Sequence, residues 1–265
     1  MSNTTKQFVS DAETLVAEQK NPQSNVSTAS TKFISSVGSY ISEQESQKLR
    51  SAFFKREKEK YNHENFYRAH FFGKDKLQEL LTYHSEVVGM RLYYGVDVDS
   101  DGTDNKKFVL YPVDKTGKDI LMGGKSLDGG VSCPFECPFF EAGTYVPNAN
   151  ETSVSTKFVA SVGTYISEQE AQKLRAAFFK KEKEIYNRED FYRAFFFGKD
   201  KLQELLNYNS DIVGMRVYYG VDVDSIGTDD KKLVLYPVDK SGNDVLMNGN
   251  SLDAGLPCPE FCPIF

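Results

Sequence analysis

The spacing of apolar positions changes period along this chain, and the change happens twice. In the run after Ser42, Leu49, Ala52 and Phe53 share one helical face. Ser42 with Glu45 forms a capping box, so the pattern predicts a helix to about Tyr61. The stretch KREKEK inside it pairs Lys55 with Glu59 at i,i+4 and reads as a solvated face. Phe66, Tyr67, Phe71 and Phe72 predict a second helical piece, and Leu77, Leu80 and Leu81 a third. The period then becomes two: Val88, Met90, Leu92 and Tyr94 lie on one face of a strand, against Arg91 and Tyr93 on the other. A polar loop leads to the strand KFVLYPVD, then to the turn KTGKD and a short strand ILM, which together make an antiparallel meander. The upstream segment STKFISSVGSY is β-prone. Helices first and strands after is an α+β order.

The whole pattern is then repeated. TKFISSVGSYISEQE at 31–45 returns as TKFVASVGTYISEQE at 156–170, and the two copies align without a gap to Phe140 and Phe265. Roughly 80 of 110 aligned positions are identical. Weaker matches extend upstream to Pro22 and Pro147. The expectation is therefore two near-identical tandem domains, each with N-terminal helices packed on an antiparallel β-meander. They span 22–140 and 147–265, separated by a short linker at 141–146. So short a linker predicts docked domains. Residues 1–21 occur once and read as an N-terminal arm. Phe8, Leu15 and Val16 fall on one helical face with Ala12, which makes the arm a candidate docking helix for a partner or for a second copy.

Composition narrows the function classes. The net charge of -6 argues against a nucleic-acid partner, which calls for a basic stripe. No apolar run reaches the roughly 18–20 residues of a membrane span, so membrane insertion is not expected. The N-terminus lacks a basic region followed by an apolar one, which points to the cytoplasm, where structural disulfides are rare. Trp is absent while Phe and Tyr number 20 and 15, so the core is expected to be aromatic.

The duplication tests each candidate chemistry, because an activity shared by both copies must survive in both. His63, His70 and His84 align on Arg188, Phe195 and Asn209, which removes a shared histidine base. His70, inside an aromatic run, reads as a core-edge residue. GGKSLDGG at 123–130 holds a Gly-Lys-Ser triplet, but it lacks the glycine and the strand-loop-helix context of a phosphate loop. The loop at 97–105 opens with Asp97, Asp99 and Asp101, and Asn105 is a later oxygen ligand, a pattern suited to calcium. Position twelve is Phe108 and not Glu, so the EF-hand reading fails. The second copy replaces Asp101 with Ile226, and a polar turn accounts for the same composition. Arg91 and its counterpart Arg216 read as partners of strand-end aspartates in same-face ion pairs. The four cysteines, Cys133, Cys137, Cys258 and Cys262, form two Cys-x3-Cys pairs, each cysteine followed by proline. Reduced packing cysteines, a disulfide within each pair, and a zinc site shared by both tails all fit that spacing, in decreasing order of expectation for a reducing compartment.

The stretches VVGMRLYYGVD, KFVLYPVDKTGKD and CPFECP, with their second copies, resemble a family of small uncharacterised bacterial proteins, chiefly from Bacteroidota. That family has a Gly-hydrophobic-Arg-aromatic-Tyr strand, a Val-Asp hairpin and a Cys-Pro tail. The resemblance covers the C-terminal half of each copy and implies no activity, cofactor or catalytic residue. The leading expectation is a non-enzymatic structural or protein-binding module that needs no cofactor. Its partner is itself or another protein, and head-to-tail copies would assemble into a filament or ring. A calcium-dependent binding module using the 97–105 loop is the second expectation. An enzyme with Arg91 and Asp97 lining a pocket is the third.

Overall fold

The computed structural model describes residues 33–62, 66–98, 106–133, 158–187, 191–224 and 230–258, without the side chains of Tyr61, Cys133, Tyr186 and Cys258. In the first copy the elements are β1 (Ser39–Ser42), α1 (Glu43–Tyr61), β2 (Ala69–Gly73), α2 (Lys74–Thr82), β3 (Val87–Val96), β4 (Lys106–Asp114), β5 (Lys125–Asp128) and β6 (Val131–Cys133). The second copy repeats them as β7 (Thr164–Ser167), α3 (Glu168–Tyr186), β8 (Ala194–Gly198), α4 (Lys199–Leu206), β9 (Ile212–Val221), β10 (Lys231–Asp239), β11 (Asn250–Asp253) and β12 (Leu256–Cys258). The fold is α+β, with four helices and two antiparallel sheets among the described residues. No helix among them is long and apolar enough to cross a membrane.

Local signals place several elements where the spacing puts them. Ser42 caps α1 by accepting from the Glu45 amide at 3.2 Å, and Asn62 ends the helix in the left-handed conformation at φ 55°. Three expectations change. The aromatic run predicted as a second helical piece is the strand β2, which is buried along its whole length. With both faces covered it shows no polar alternation, so its period is unreadable. The short strand is also not ILM but Lys125–Asp128, inside the segment that mimics a phosphate loop. Val88 leaves the face assigned to it, because a register shift between Val87 and Gly89 turns it toward Phe33, Val113 and Phe196.

The sheets do not follow the sequence copies. One sheet has the order β1-β11-β10-β9-β2-β6 and the other β12-β8-β3-β4-β5-β7. The meander of the second copy is thus flanked by β1 and by β2 with β6 from the first, and the reverse holds in the other sheet. Ser39–Ser42 pairs with Asn250–Asp253, and Ala69–Gly73 pairs with residues 214–218. The helices follow the strands. On one sheet's outer face, Leu49 of α1 packs with Tyr218, Val234 and Tyr236. On the other, Ala171 and Leu174 of α3 pack with Tyr93, Val109 and Tyr111. The division at 141–146 therefore does not divide the structure, and each N-terminal helix covers the meander of the other copy.

The two inner faces share one core. Met90, Leu92 and Tyr94 meet Met215, Val217 and Tyr219, with the leucines of α2 and α4 between the sheets. α2 begins without a side-chain cap, and its first amides are satisfied by the other copy: Gly73 N–H donates to Val162 O at 2.8 Å and Asp75 N–H to Ala160 O at 2.9 Å. At α4 the same bonds run from Gly198 to Val37 and from Asp200 to Ser35, both at 2.8 Å.

Candidate functional site

Two polar arrangements among the described residues bear on function. The first is a pair of arginine networks on the outer sheet faces. Arg91 and Arg216 are both 0% exposed. Arg91 is ion-paired to Asp119, donates to Gly117 O at 2.9 Å, and lies 5.4 Å from the ring of Phe33. The Tyr93 hydroxyl donates to the second oxygen of Asp119 at 2.6 Å. Arg216 repeats this with Asp244, Gly242 and Phe158, and Tyr218 donates to Asp244 at 2.6 Å. Arg175 of α3 then stacks over Tyr93 and Tyr111 at 4.7 and 4.9 Å, and Arg50 of α1 stacks over Tyr218 and Tyr236 at 4.8 and 5.0 Å. Burial, the largest cause, pushes the hydroxyls of Tyr93, Tyr111, Tyr218 and Tyr236 above the ordinary tyrosine range, which keeps them protonated donors. These arginines are ion-paired as their strand positions lead one to expect, and their carboxylate partners are occupied. The networks fix the helices to the sheets.

The second is a recess of about 50 Å³ where the two copies meet. Its floor is a column of four rings. Phe53 stacks on Tyr219 at 5.2 Å, Tyr219 on Tyr94 at 5.9 Å, and Tyr94 on Phe178 at 5.2 Å. Tyr94 and Tyr219 are counterparts in the two copies, as are Phe53 and Phe178, so the column straddles the pseudo-twofold axis that relates them. The tyrosine hydroxyls are bonded across the copies, with Tyr94 donating to Lys232 O at 3.3 Å and Tyr219 to Lys107 O at 3.4 Å. The walls are the C-terminal halves of α1 and α3 and the adjoining ends of β3, β4, β9 and β10.

Charged side chains line this recess in matched pairs. Lys106 Nζ lies 2.8 Å from Glu57, with side chains 15% and 6% exposed. Lys231 Nζ lies 2.8 Å from Glu182, with side chains 9% and 11% exposed. Arg56, Lys60 and Lys181 complete the lining, and Arg56 also pairs with Asp230 at 2.7 Å. Glu57 belongs to the KREKEK stretch read from sequence as solvated, yet the residue is only 4% exposed. Recurrence does not single it out, because the exposed Lys58 and Glu59 reappear as Lys183 and Glu184 just as Glu57 reappears as Glu182.

The residues singled out from sequence fall elsewhere. Asp97 follows β3 and is half-buried; it does not line the recess, and neither does Arg91. Together with burial, which is the larger cause, Asp97 raises the pKa of Asp128. Asp99, Asp101 and Asn105 lie outside the described residues, as do Phe8, Leu15, Val16, Cys137 and Cys262. The backbones of Cys133 and Cys258 end β6 and β12, opposite Ala69 and Ala194 in different sheets. Among the described residues, no group of three or more His, Cys, Asp or Glu is placed to hold a metal ion. His70 is 2% exposed, edge-on to Phe108 and Tyr219, with Nδ1 3.3 Å from Ser132 Oγ, and is a core residue.

Comparison with protein-family models, with curated proteins and with solved structures finds no match.

Proposed function

We propose that this protein is a non-enzymatic binding module whose working unit requires both sequence copies. The observation that carries this reading is the recess on the pseudo-twofold axis. Both copies contribute to it, its floor is aromatic, and its buried charges are held in ion pairs. Binding sites combine an apolar surface with a few fixed polar groups in this way. The described carboxylates and arginines nearest to an acid-base arrangement are instead locked in the outer networks, where they hold helices on sheets.

The strand exchange also bears on assembly. Two copies that offer each other complementary edges form an open filament only if those edges remain available between chains. Here the exchange is reciprocal within one chain, which supports a closed unit over head-to-tail polymerisation. A titration of isotope-labelled protein with a panel of small anions, cations and peptides tests the reading. Ligands are expected to shift the amide resonances of Tyr94, Gly95, Tyr219 and Gly220. A panel without hits, or hits that map only to other surfaces, would overturn it.

A further inference from the structure

We propose that Asn248 is a site of spontaneous modification, where the peptide nitrogen of Gly249 closes on the side-chain amide and converts it to aspartate and isoaspartate. The site lies outside the recess and is independent of what the recess binds. Asn248–Gly249 is the chain's one Asn-Gly pair. It forms the tip of a two-residue hairpin, in which Met247 N–H donates to Asn250 O at 2.9 Å and Asn250 N–H to Met247 O at 3.1 Å. Both tip residues have positive φ, 54° and 83°, as this kind of hairpin turn requires. The first copy builds the same turn from Gly123 and Gly124, at 59° and 79°. The turn therefore needs no side chain, and only the second copy carries an amide there.

The reacting groups are accessible. Asn248 and Gly249 are exposed, and a Cβ on Gly249 would meet nothing within 4 Å. Glycine leaves the attacking nitrogen uncrowded and lets the tip rotate to bring it to Cγ. Among the described residues, neither Gly249 N–H nor Asn248 Nδ2 has a hydrogen bond to give up. The Tyr208 hydroxyl donates to Asn248 Oδ1 at 3.3 Å while accepting from Asn248 N–H at 3.2 Å. That donor faces the oxygen on which negative charge develops as the nitrogen adds. Solvent hydroxide takes the Gly249 amide proton, the N–Cγ bond forms, and the Cγ–Nδ2 bond breaks to release ammonia, which takes a proton from water. Water then opens the cyclic imide. Opening at Cγ gives aspartate, and opening at the Asn248 backbone carbonyl carbon gives isoaspartate, whose main chain is one carbon longer. The longer chain falls where the copies join: Gly249 O accepts from Glu43 N–H at 3.2 Å, and Ser42 pairs with Asn250. The modification thus loosens the seat of β1 and α1 on β11 and leaves the counterpart bond, from Glu168 N–H to Gly124 O at 3.1 Å, intact.

The test is incubation of the full chain at mildly alkaline pH, followed by peptide mapping and by melting temperature. The peptide holding Asn248 is expected to gain the mass of an amide-to-acid change faster than any other asparagine peptide, at a rate proportional to hydroxide. Its product is expected to split into two chromatographic peaks, one of which an isoaspartate methyltransferase labels. Gly249→Ala, shown to be folded by circular dichroism, is expected to slow the conversion at least about tenfold, because its methyl crowds the attacking nitrogen. Asn248→Gly recreates the first copy's turn and is expected to keep its melting temperature on incubation while that of the wild type falls. An Asn248 peptide that stays unconverted while other asparagines react, a product without isoaspartate, or an unchanged rate in Gly249→Ala would each overturn the site. An equal fall of melting temperature in Asn248→Gly would overturn its effect on the junction.

Discussion

Among the described residues, His70 and Phe108 mark a place near the axis where the core of the two copies differs in kind. Their counterparts are Phe195 and Leu233, and the rings of His70 and Phe108 lie 5.4 Å apart. The smaller ring on β2 is matched by the larger side chain on β4, and the second copy reverses both choices. The single variants His70→Phe and Phe108→Leu are expected to cost about 1–3 kcal/mol each, by overpacking and by a cavity respectively. The double variant recreates the second copy's pair and should recover at least about 1 kcal/mol, giving a non-additive cycle by urea denaturation. Additive losses would mean that the two sites do not compensate. A pH effect follows from the same residue. Burial, then Lys107 and Lys106, lowers the His70 pKa to about 3. The unfolded ring titrates near 6.5, so between these values the folded state binds fewer protons and stability falls as pH falls. The slope is up to about 1.4 kcal/mol per pH unit. Asp128 and Asp253, raised by burial, work in the opposite direction and are present in both proteins being compared. Between pH 7 and 4.5, wild type is expected to lose about 2 kcal/mol more than His70→Phe/Phe108→Leu. Equal losses would show that His70 is protonated in the folded state. Its burial was legible, because its counterpart is a phenylalanine; its partner was not, because Phe108 is brought to it from another sheet.

At the level of elements, the junctions between β2 and α2 and between β8 and α4 leave no room for a side chain. A Cβ on Gly73 would overlap the Ala160 carbonyl, and one on Gly198 would overlap that of Ser35. Gly73→Ala is expected to destabilise by about 3 kcal/mol or more, since both atoms in conflict are backbone and neither can rotate away. Gly124→Ala is the informative contrast. A Cβ there meets nothing, and only the positive φ of 79° opposes it, so its cost should be nearer 1 kcal/mol. Equal costs would mean that the loop at 158–162 can retreat from the helix. The existence and start of α1 were legible from Ser42 and Glu45, because a cap is a contact between residues three apart. β2 was misread as helical because a strand buried on both faces carries no alternation. What caps α2 was illegible, since the carbonyls come from the other copy.

For the whole molecule, reciprocal exchange makes a covalent link between the copies unnecessary for their association. A protease site inserted at 141–146 and cleaved should leave two fragments that co-elute with the mass of one intact chain and keep their secondary structure. Fragments that separate and remain folded would mean that each copy is complete alone. Light scattering of the uncut protein is expected to give a single chain, and a concentration-dependent polymer would restore the open filament. The geometry of α2 accounts for the exchange. Nine helical residues span about 13 Å, enough to cross between sheets that pack roughly 10 Å apart. Returning β3 beside β2 would require residues 83–86, which bend and turn, to retrace that whole length. The amino-acid sequence alone determined the duplication, most of the elements and the aromatic character of the core, because periods, caps and turns act over a few residues. Which copy's meander receives each β2, and hence that Tyr94 meets Tyr219 over a shared recess, was decided only by the tertiary structure. The two meanders are nearly identical in sequence, so either would satisfy β2 locally, and the reach of a short rigid helix selects between them.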